Sequence, residues 1–247
     1  MFVEQVVTGN VAELVLAAPD VRNSLGPEEA RELRLAIEAI SATPAVHVAV
    51  LTHHGSSFCA GGNLRKILDL VAGGRKMVTD VIYAEFQGLF RAIEAMRQPL
   101  ICAVDGPAIG LGCDLALAAD LTFFGKDAFI AQGWAALGLV PAPGGTRSIV
   151  RKGGREALWR LIAEGRINAA QAEANNLGVA VENALKAARA TAQRIAALPA
   201  GAIAATRHLS QIDDFEEHLA IALSYQSDFL TDSSFASKAE KLLSRRE

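Results

Sequence analysis

An α/β core followed by a helical end is the fold class the sequence predicts, and three observations predict it. Two apolar, strand-like runs, Val46 to Thr52 and Leu100 to Val104, each lead through a glycine-rich turn into a segment able to start a helix. The last quarter of the chain carries no strand signal and reads as helix from Glu182 onward. At 247 residues, with 51% hydrophobic and 21% charged side chains, the chain can bury a large core with a smaller appendage and is not disordered. The expected division is an α/β core over residues 1–190 and a helical region over 191–247, engaged in packing and subunit assembly.

Along the chain, Val11 to Ala17 and Val46 to Leu51 read as buried strands. Between them a helix over 27–41 places Ala30, Leu33, Ile37 and Ile40 on one side, with Pro27 suited to its first turn. A long helical stretch is expected from about Lys76 to Met96, with Val78, Ile82, Phe86, Leu89 and Ile93 on its packed face. Short strands follow at Leu121 to Phe124 and Ala128 to Ile130. Pro141-Ala142-Pro143-Gly144-Gly145-Thr146 breaks the chain before another helix, and Asn168 is placed to cap a short one that stops near Gly178. Pro199 opens a new helical element, and Phe215, Leu219, Leu223 and Phe229 form an apolar stripe on the next.

Composition excludes several classes of function. A net charge of −3, with Lys and Arg scattered, offers no nucleic-acid surface. The three cysteines, Cys59, Cys102 and Cys113, lack metal-ligand spacing and read as small buried side chains in a reducing compartment. No basic-apolar leader opens the sequence and no run reaches membrane-spanning length, which predicts a soluble, cytoplasmic protein without a membrane partner. No His, Asp and Glu cluster suggests a metal.

The chemistry is concentrated in the two glycine turns. Phe58-Cys59-Ala60-Gly61-Gly62-Asn63-Leu64 is a tight bend able to turn backbone amides toward a pocket. Asp105-Gly106-Pro107-Ala108-Ile109-Gly110-Leu111-Gly112-Cys113-Asp114 repeats the arrangement before a small-residue helix. Two such units can aim one N–H each at a single carbonyl oxygen and stabilise charge developing there.

Taken together, Asp20 to Leu25, Phe58 to Leu64, Pro99 to Asp120, Gly138 to Thr146 and Ile167 to Gly178 closely resemble the enoyl-CoA hydratase/isomerase, or crotonase, superfamily. The resemblance implies a spiral of repeated ββα units with a C-terminal helical region, assembly as a homotrimer or hexamer, and acyl-CoA thioester substrates. Coenzyme A is then part of the substrate, with no prosthetic group. The resemblance places the oxyanion donors on the amides of Gly62 and Leu111. It places coenzyme A along Arg22, Ala60, Gly61, Gly62, Leu64 and Lys66, with Arg22 toward the phosphates.

Asp114 aligns with the first catalytic glutamate of the hydratases, one helical turn after Leu111. It is the candidate acid/base, or else an anchor for the loop. Trp134 falls where the second glutamate of that family is expected, and an indole cannot protonate a carbon at neutral pH. Its alternatives are a pocket wall with one N–H donor or a core residue. Tyr83, Glu85, Phe86 and Phe129 are the further pocket or auxiliary candidates. Of the adjacent His53 and His54, at most one can face the pocket, because neighbouring side chains at a strand end point oppositely. Three functions remain open: a hydratase- or isomerase-like enzyme, an acyl-CoA decarboxylase relying on the oxyanion site alone, and a non-catalytic acyl-CoA binding protein.

Overall fold

The computed structural model describes residues 1–244, so 245–247, the tip of the expected helical region, lie outside the described residues. Two compact units divide the chain, Met1–Ala197 and a second from Leu198 onward. The first is built on six strands: β1 (Val3–Thr8), β2 (Val11–Leu16), β3 (Val48–His53), β4 (Leu100–Val104), β6 (Leu121–Phe124) and β9 (Val179–Ala180), in the spatial order β1-β2-β3-β4-β6-β9. The β1–β2 pair is antiparallel and the remaining pairs are parallel.

A parallel sheet buried on both faces requires strands that are apolar on both sides, and β3 and β4 meet that requirement. Val48, Val50, Ile101, Ala103 and Phe123 face α8 (Ala184–Ala196) through Ala184, Ala188 and Ala192. On the other face, Ala49, Leu51, Leu100, Cys102 and Val104 join α1 (Pro27–Ser41), α4 (Ala84–Ala95) and α5 (Leu111–Ala118) in the main core. Helix α1 buries Ala30, Leu33, Ile37 and Ile40 as its periodicity predicts.

A second sheet of three short strands, β5 (Pro107–Ile109), β7 (Phe129–Ala131) and β8 (Arg166–Asn168), sits beside the two glycine turns. Asn168 caps α7 (Ala169–Ala174) by accepting from the Gln171 N–H at 2.9 Å. The second unit contains α9 (Ala200–Leu209), which starts at Pro199, then α10 (Phe215–Thr231) and α11 (Ser233–Leu243).

The expected helical stretch over 76–96 is helical without interruption to Ala95, with a wider turn set into it. Helix α2 (Leu64–Val71) leads to α3 (Gly74–Met77), a π-helical turn occupies Val78–Tyr83, and α4 follows. The Ala84 N–H bonds back to the Thr79 carbonyl, the five-residue spacing that defines the wider turn. Residue pattern reports a helical face but not the number of residues per turn.

Asn23 locks the N-terminal loop to the segment after β3. It is fully buried at φ 52°, a left-handed conformation that Asn tolerates better than most residues. Its Oδ1 accepts from the Ala18 N–H at 2.9 Å, while Nδ2 donates to the carbonyls of His54 at 3.0 Å and Ser57 at 2.8 Å. Asn23→Asp keeps the size and the acceptor but turns an oxygen toward two buried carbonyls. The expected loss is about 2–4 kcal/mol in urea unfolding at neutral pH, with part of it recovered as the new carboxyl protonates in acid.

Candidate active site

The two glycine turns are joined by backbone. Cys59 donates to the Pro107 carbonyl at 3.2 Å and accepts from the Ile109 N–H at 3.0 Å, which adds the first turn to the edge of β5. Gly62 pairs on its other side with Leu25, through Leu25 N–H to Gly61 O at 2.8 Å and Asn63 N–H to Leu25 O at 2.7 Å. Both of those bonds leave the Gly62 N–H unused. Among the described residues neither the Gly62 nor the Leu111 N–H donates to a protein acceptor.

Gly61 shows how close the turns lie. Its φ is 99°, and a Cβ there would stand 2.7 Å from the Ile109 oxygen and 3.6 Å from the Leu111 nitrogen. Only glycine accepts both that conformation and that approach. Gly110, whose N–H bonds the Ala131 carbonyl at 2.8 Å, precedes the first turn of α5, so Leu111 presents a helix-terminal amide beside the Gly61-Gly62 bend.

Asp114 lies on the same first turn of α5 and is fully buried. Gln132 Nε2 donates to its Oδ1 at 2.6 Å and Trp134 Nε1 to its Oδ2 at 2.9 Å. Burial pushes the carboxyl up from 3.8 to about 7, against the two hydrogen bonds, which favour the charged form. Helix α6 (Gly145–Glu164) begins against this group, and any Cβ at Gly145 would overlap the carboxylate. Trp134 therefore supplies a hydrogen bond to the candidate acid/base.

The π-helical turn ends on Tyr83, half-buried and edge-on to Phe86 with centroids 6.0 Å apart. Its phenol is raised first by burial and then by the charge of Asp114, so the two groups share one electrostatic environment. Phe86 is buried in the main core. Phe129 carries the Arg166 guanidinium 4.2 Å above its ring. The Glu85 carboxylate is held by Arg31 at 2.7 Å and Arg34 at 3.3 Å on α1.

Of the coenzyme A candidates, Arg22 is exposed, and its carbonyl accepts the Ala60 N–H at 2.9 Å, which fixes it to the first turn. Leu64 is exposed at the start of α2. The Lys66 ammonium lies between Glu29 at 2.6 Å and Glu28 at 3.1 Å, so a phosphate there would compete with two carboxylates. The two histidines diverge: His54 meets Glu4 at 3.2 Å on the surface, while His53 Nε2 accepts the Asp105 N–H at 3.2 Å. Among the described residues no group of three or more His, Cys, Asp or Glu could hold a metal ion, and no helix is long and apolar enough to cross a membrane. Sequence reasoning missed Gln132, a lone amide after an apolar strand, and held Asn23 only as part of the Asp20 to Leu25 run, without its role.

The family model described as enoyl-CoA hydratase/isomerase matches residues 7–241. A Rhizobium meliloti (strain 1021) protein named "Probable enoyl-CoA hydratase" is 33% identical over 204 residues, covering 79% of this chain and 76% of its own. The crotonyl-CoA hydratase of Syntrophomonas wolfei subsp. wolfei (strain DSM 2245B / Goettingen) is 34% identical over 142 residues, 57% of this chain and 53% of its own. The crystal structure of an enoyl-CoA hydratase from Polaromonas sp. JS666 superposes with a TM-score of 0.89 at 27% identity, over 98% of this chain and 97% of that one. The α/β core with C-terminal helices is thus the crotonase-like fold.

A carboxyl raised to about 7 binds its proton more tightly in the folded protein than in the unfolded chain. Its contribution to stability is complete below about pH 4 and is lost as pH rises through about 7. Asn carries no such dependence. Asp114→Asn should therefore gain on wild type with rising pH, widening the Tm difference by about 3 °C or more between about pH 5 and about pH 8 in scanning calorimetry. A constant difference across that range would show that Asp114 is ionised at both ends.

Proposed function

The chain belongs to the enoyl-CoA hydratase/isomerase family, and we propose that it is an acyl-CoA-processing enzyme in which the amides of Gly62 and Leu111 hold the thioester oxygen while Asp114 moves the proton. The observation that carries this reading is the pair of undonated amides, joined across Gly61, one helical turn from a buried carboxyl. Water addition to an enoyl thioester pushes an electron pair onto the carbonyl oxygen. Two fixed N–H groups bind that developing charge better than the neutral carbonyl, and each is worth about 3 kcal/mol of transition-state stabilisation.

Asp114 as carboxylate takes the proton from the attacking water, and as acid it returns one to the α-carbon when the enolate collapses. A group that titrates near neutrality suits both halves of that cycle. Arg22, exposed beside Ala60, is the position proposed for the coenzyme A phosphates. Exposed Phe215, Leu219 and Leu223 on α10 support assembly as a homotrimer or hexamer, which light scattering would measure.

One observation favours a second reading. Both Asp114 oxygens already have donors and the side chain has no exposed surface, whereas the two amides are free. Decarboxylation of a malonyl-type thioester needs the amides alone, because loss of carbon dioxide itself delivers the electron pair to the enolate.

Product mass after incubation with enoyl-, hydroxyacyl- and malonyl-type CoA thioesters separates the two. Hydration is expected, with kcat/KM rising as pH passes about 7, and Asp114→Asn should lower kcat about 100-fold or more. Malonyl turnover that survives Asp114→Asn would establish the decarboxylase. Tight binding of every ester without product would leave a binding protein.

A further inference from the structure

The Gln132 side chain has one short bond and one orphan. Its Nε2 donates to Asp114 Oδ1 at 2.6 Å, while its Oε1, equally buried, meets no donor among the described residues. Nothing at the far end of the amide fixes which way round it sits. Trp134 is different: an indole N–H only donates, so its bond to Oδ2 suits a carboxylate and leaves Oδ1 as the oxygen able to carry a proton.

We propose that Gln132 is a positioning residue that serves both protonation states of Asp114, donating through Nε2 to the carboxylate and turning over to accept through Oε1 from the carboxylic acid. This rests on the reading of Asp114 as the group that moves protons. When a proton from water lands on Oδ1, the donor facing it becomes a clash of two hydrogens. Rotation of the amide by half a turn replaces that clash with an O–H to Oε1 hydrogen bond, and the Trp134 bond stays in place. The reverse turn accompanies loss of the proton to the α-carbon. Asp114 then keeps its side-chain geometry through the cycle, although its charge changes inside a closed space.

The surroundings of Asp114 favour a response through the amide. Tyr83 from the π-helical turn and Cys113 on α5 are the titratable groups that sense its charge, and both are raised, first by burial. Helix α6 brings the Gly145 backbone against it, and the segment after β7 brings Gln132 and Trp134, both uncharged. Among the described residues no cation acts on Asp114 to fix it in one state.

The test needs no substrate. Trp134 is the buried indole and Trp159 the exposed one, so Trp159→Phe leaves an emitter bonded directly to Asp114. Its fluorescence should titrate with a midpoint about 7, and the transition should vanish in Asp114→Asn. The side-chain 15N–1H resonances of Gln132, assigned by their absence in Gln132→Leu, should shift with the same midpoint. In Gln132→Leu, with Gln132→Met as a second variant, both states of Asp114 lose a partner. The midpoint should then move by less than about half a pH unit, whereas loss of a donor to the carboxylate alone raises it by about one unit or more.

Gln132 resonances that stay constant through the Trp134 transition, or a midpoint raised by about one unit in both variants, would overturn the proposal. Co-titration without turnover of any thioester would support the two-way bond and remove its catalytic setting. Asp114-dependent turnover with a static amide would do the opposite.

Discussion

Two hydrogen bonds, Cys59 N–H to Pro107 O and Ile109 N–H to Cys59 O, are the constraint on which the site depends. They put two turns that are some fifty residues apart in sequence into one register. Only in that register does the start of α5 come to rest beside Gly61. Cys59 and Ala108 are fully buried there, so each of these groups left unpaired and out of water would cost about 1–3 kcal/mol, and the register is enforced. Cys59 fits the seam because it is small and stays neutral, its thiol pushed up to about 12 by complete burial. Asn23 secures the same segment from behind, through Ser57 and His54. The floor of the site is thus backbone paired with backbone and braced by one buried amide side chain.

The carboxyl of Asp114 is placed in this frame against its own charge. Taking a carboxylate out of water costs far more than two neutral hydrogen bonds return. With Gln132 in its donating orientation, its bond and that of Trp134 lower the carboxyl less than burial raises it, and the balance leaves the carboxyl titrating at about 7. A guanidinium in the same place would have pulled it down, as Arg31 and then Arg34 hold Glu85 below its usual value. The contrast separates the two acids: Glu85 fastens α4 to α1, whereas Asp114 is held by two uncharged donors and keeps a raised carboxyl.

What the sequence made legible follows from how each feature is encoded. Strands β3 and β4 and helix α1 were readable because burial on both faces, or on one helical stripe, leaves a continuous pattern. Strand β1 was not, since it lies at the sheet edge and leaves Val6 and Val7 half exposed, which blurs the alternation. Strands β5, β8 and β9 span two or three residues, too few for any period to register. The glycine turns and Asp114 were visible as local motifs. The bonds that Gln132 and Trp134 make to Asp114 were not, because they cross 18 and 20 residues and exist only once β7 is docked. Trp134 was legible as a single donor without an acceptor; the fold supplies the acceptor.

The π-helical turn at Val78–Tyr83 also bears on how this chain tolerates changes of length. One residue of an α-helix advances the side chains by about 100° around the axis, so a turn with an extra residue acts as a built-in insertion that re-aims everything before it relative to everything after. Tyr83 stands at the end of that insertion. Shortening the segment by a single residue would restore ordinary helical register and swing either the phenol away from Asp114 or α2 away from the first glycine turn. The segment between the turn and the core is therefore one where substitutions are absorbed locally while a one-residue deletion acts at a distance.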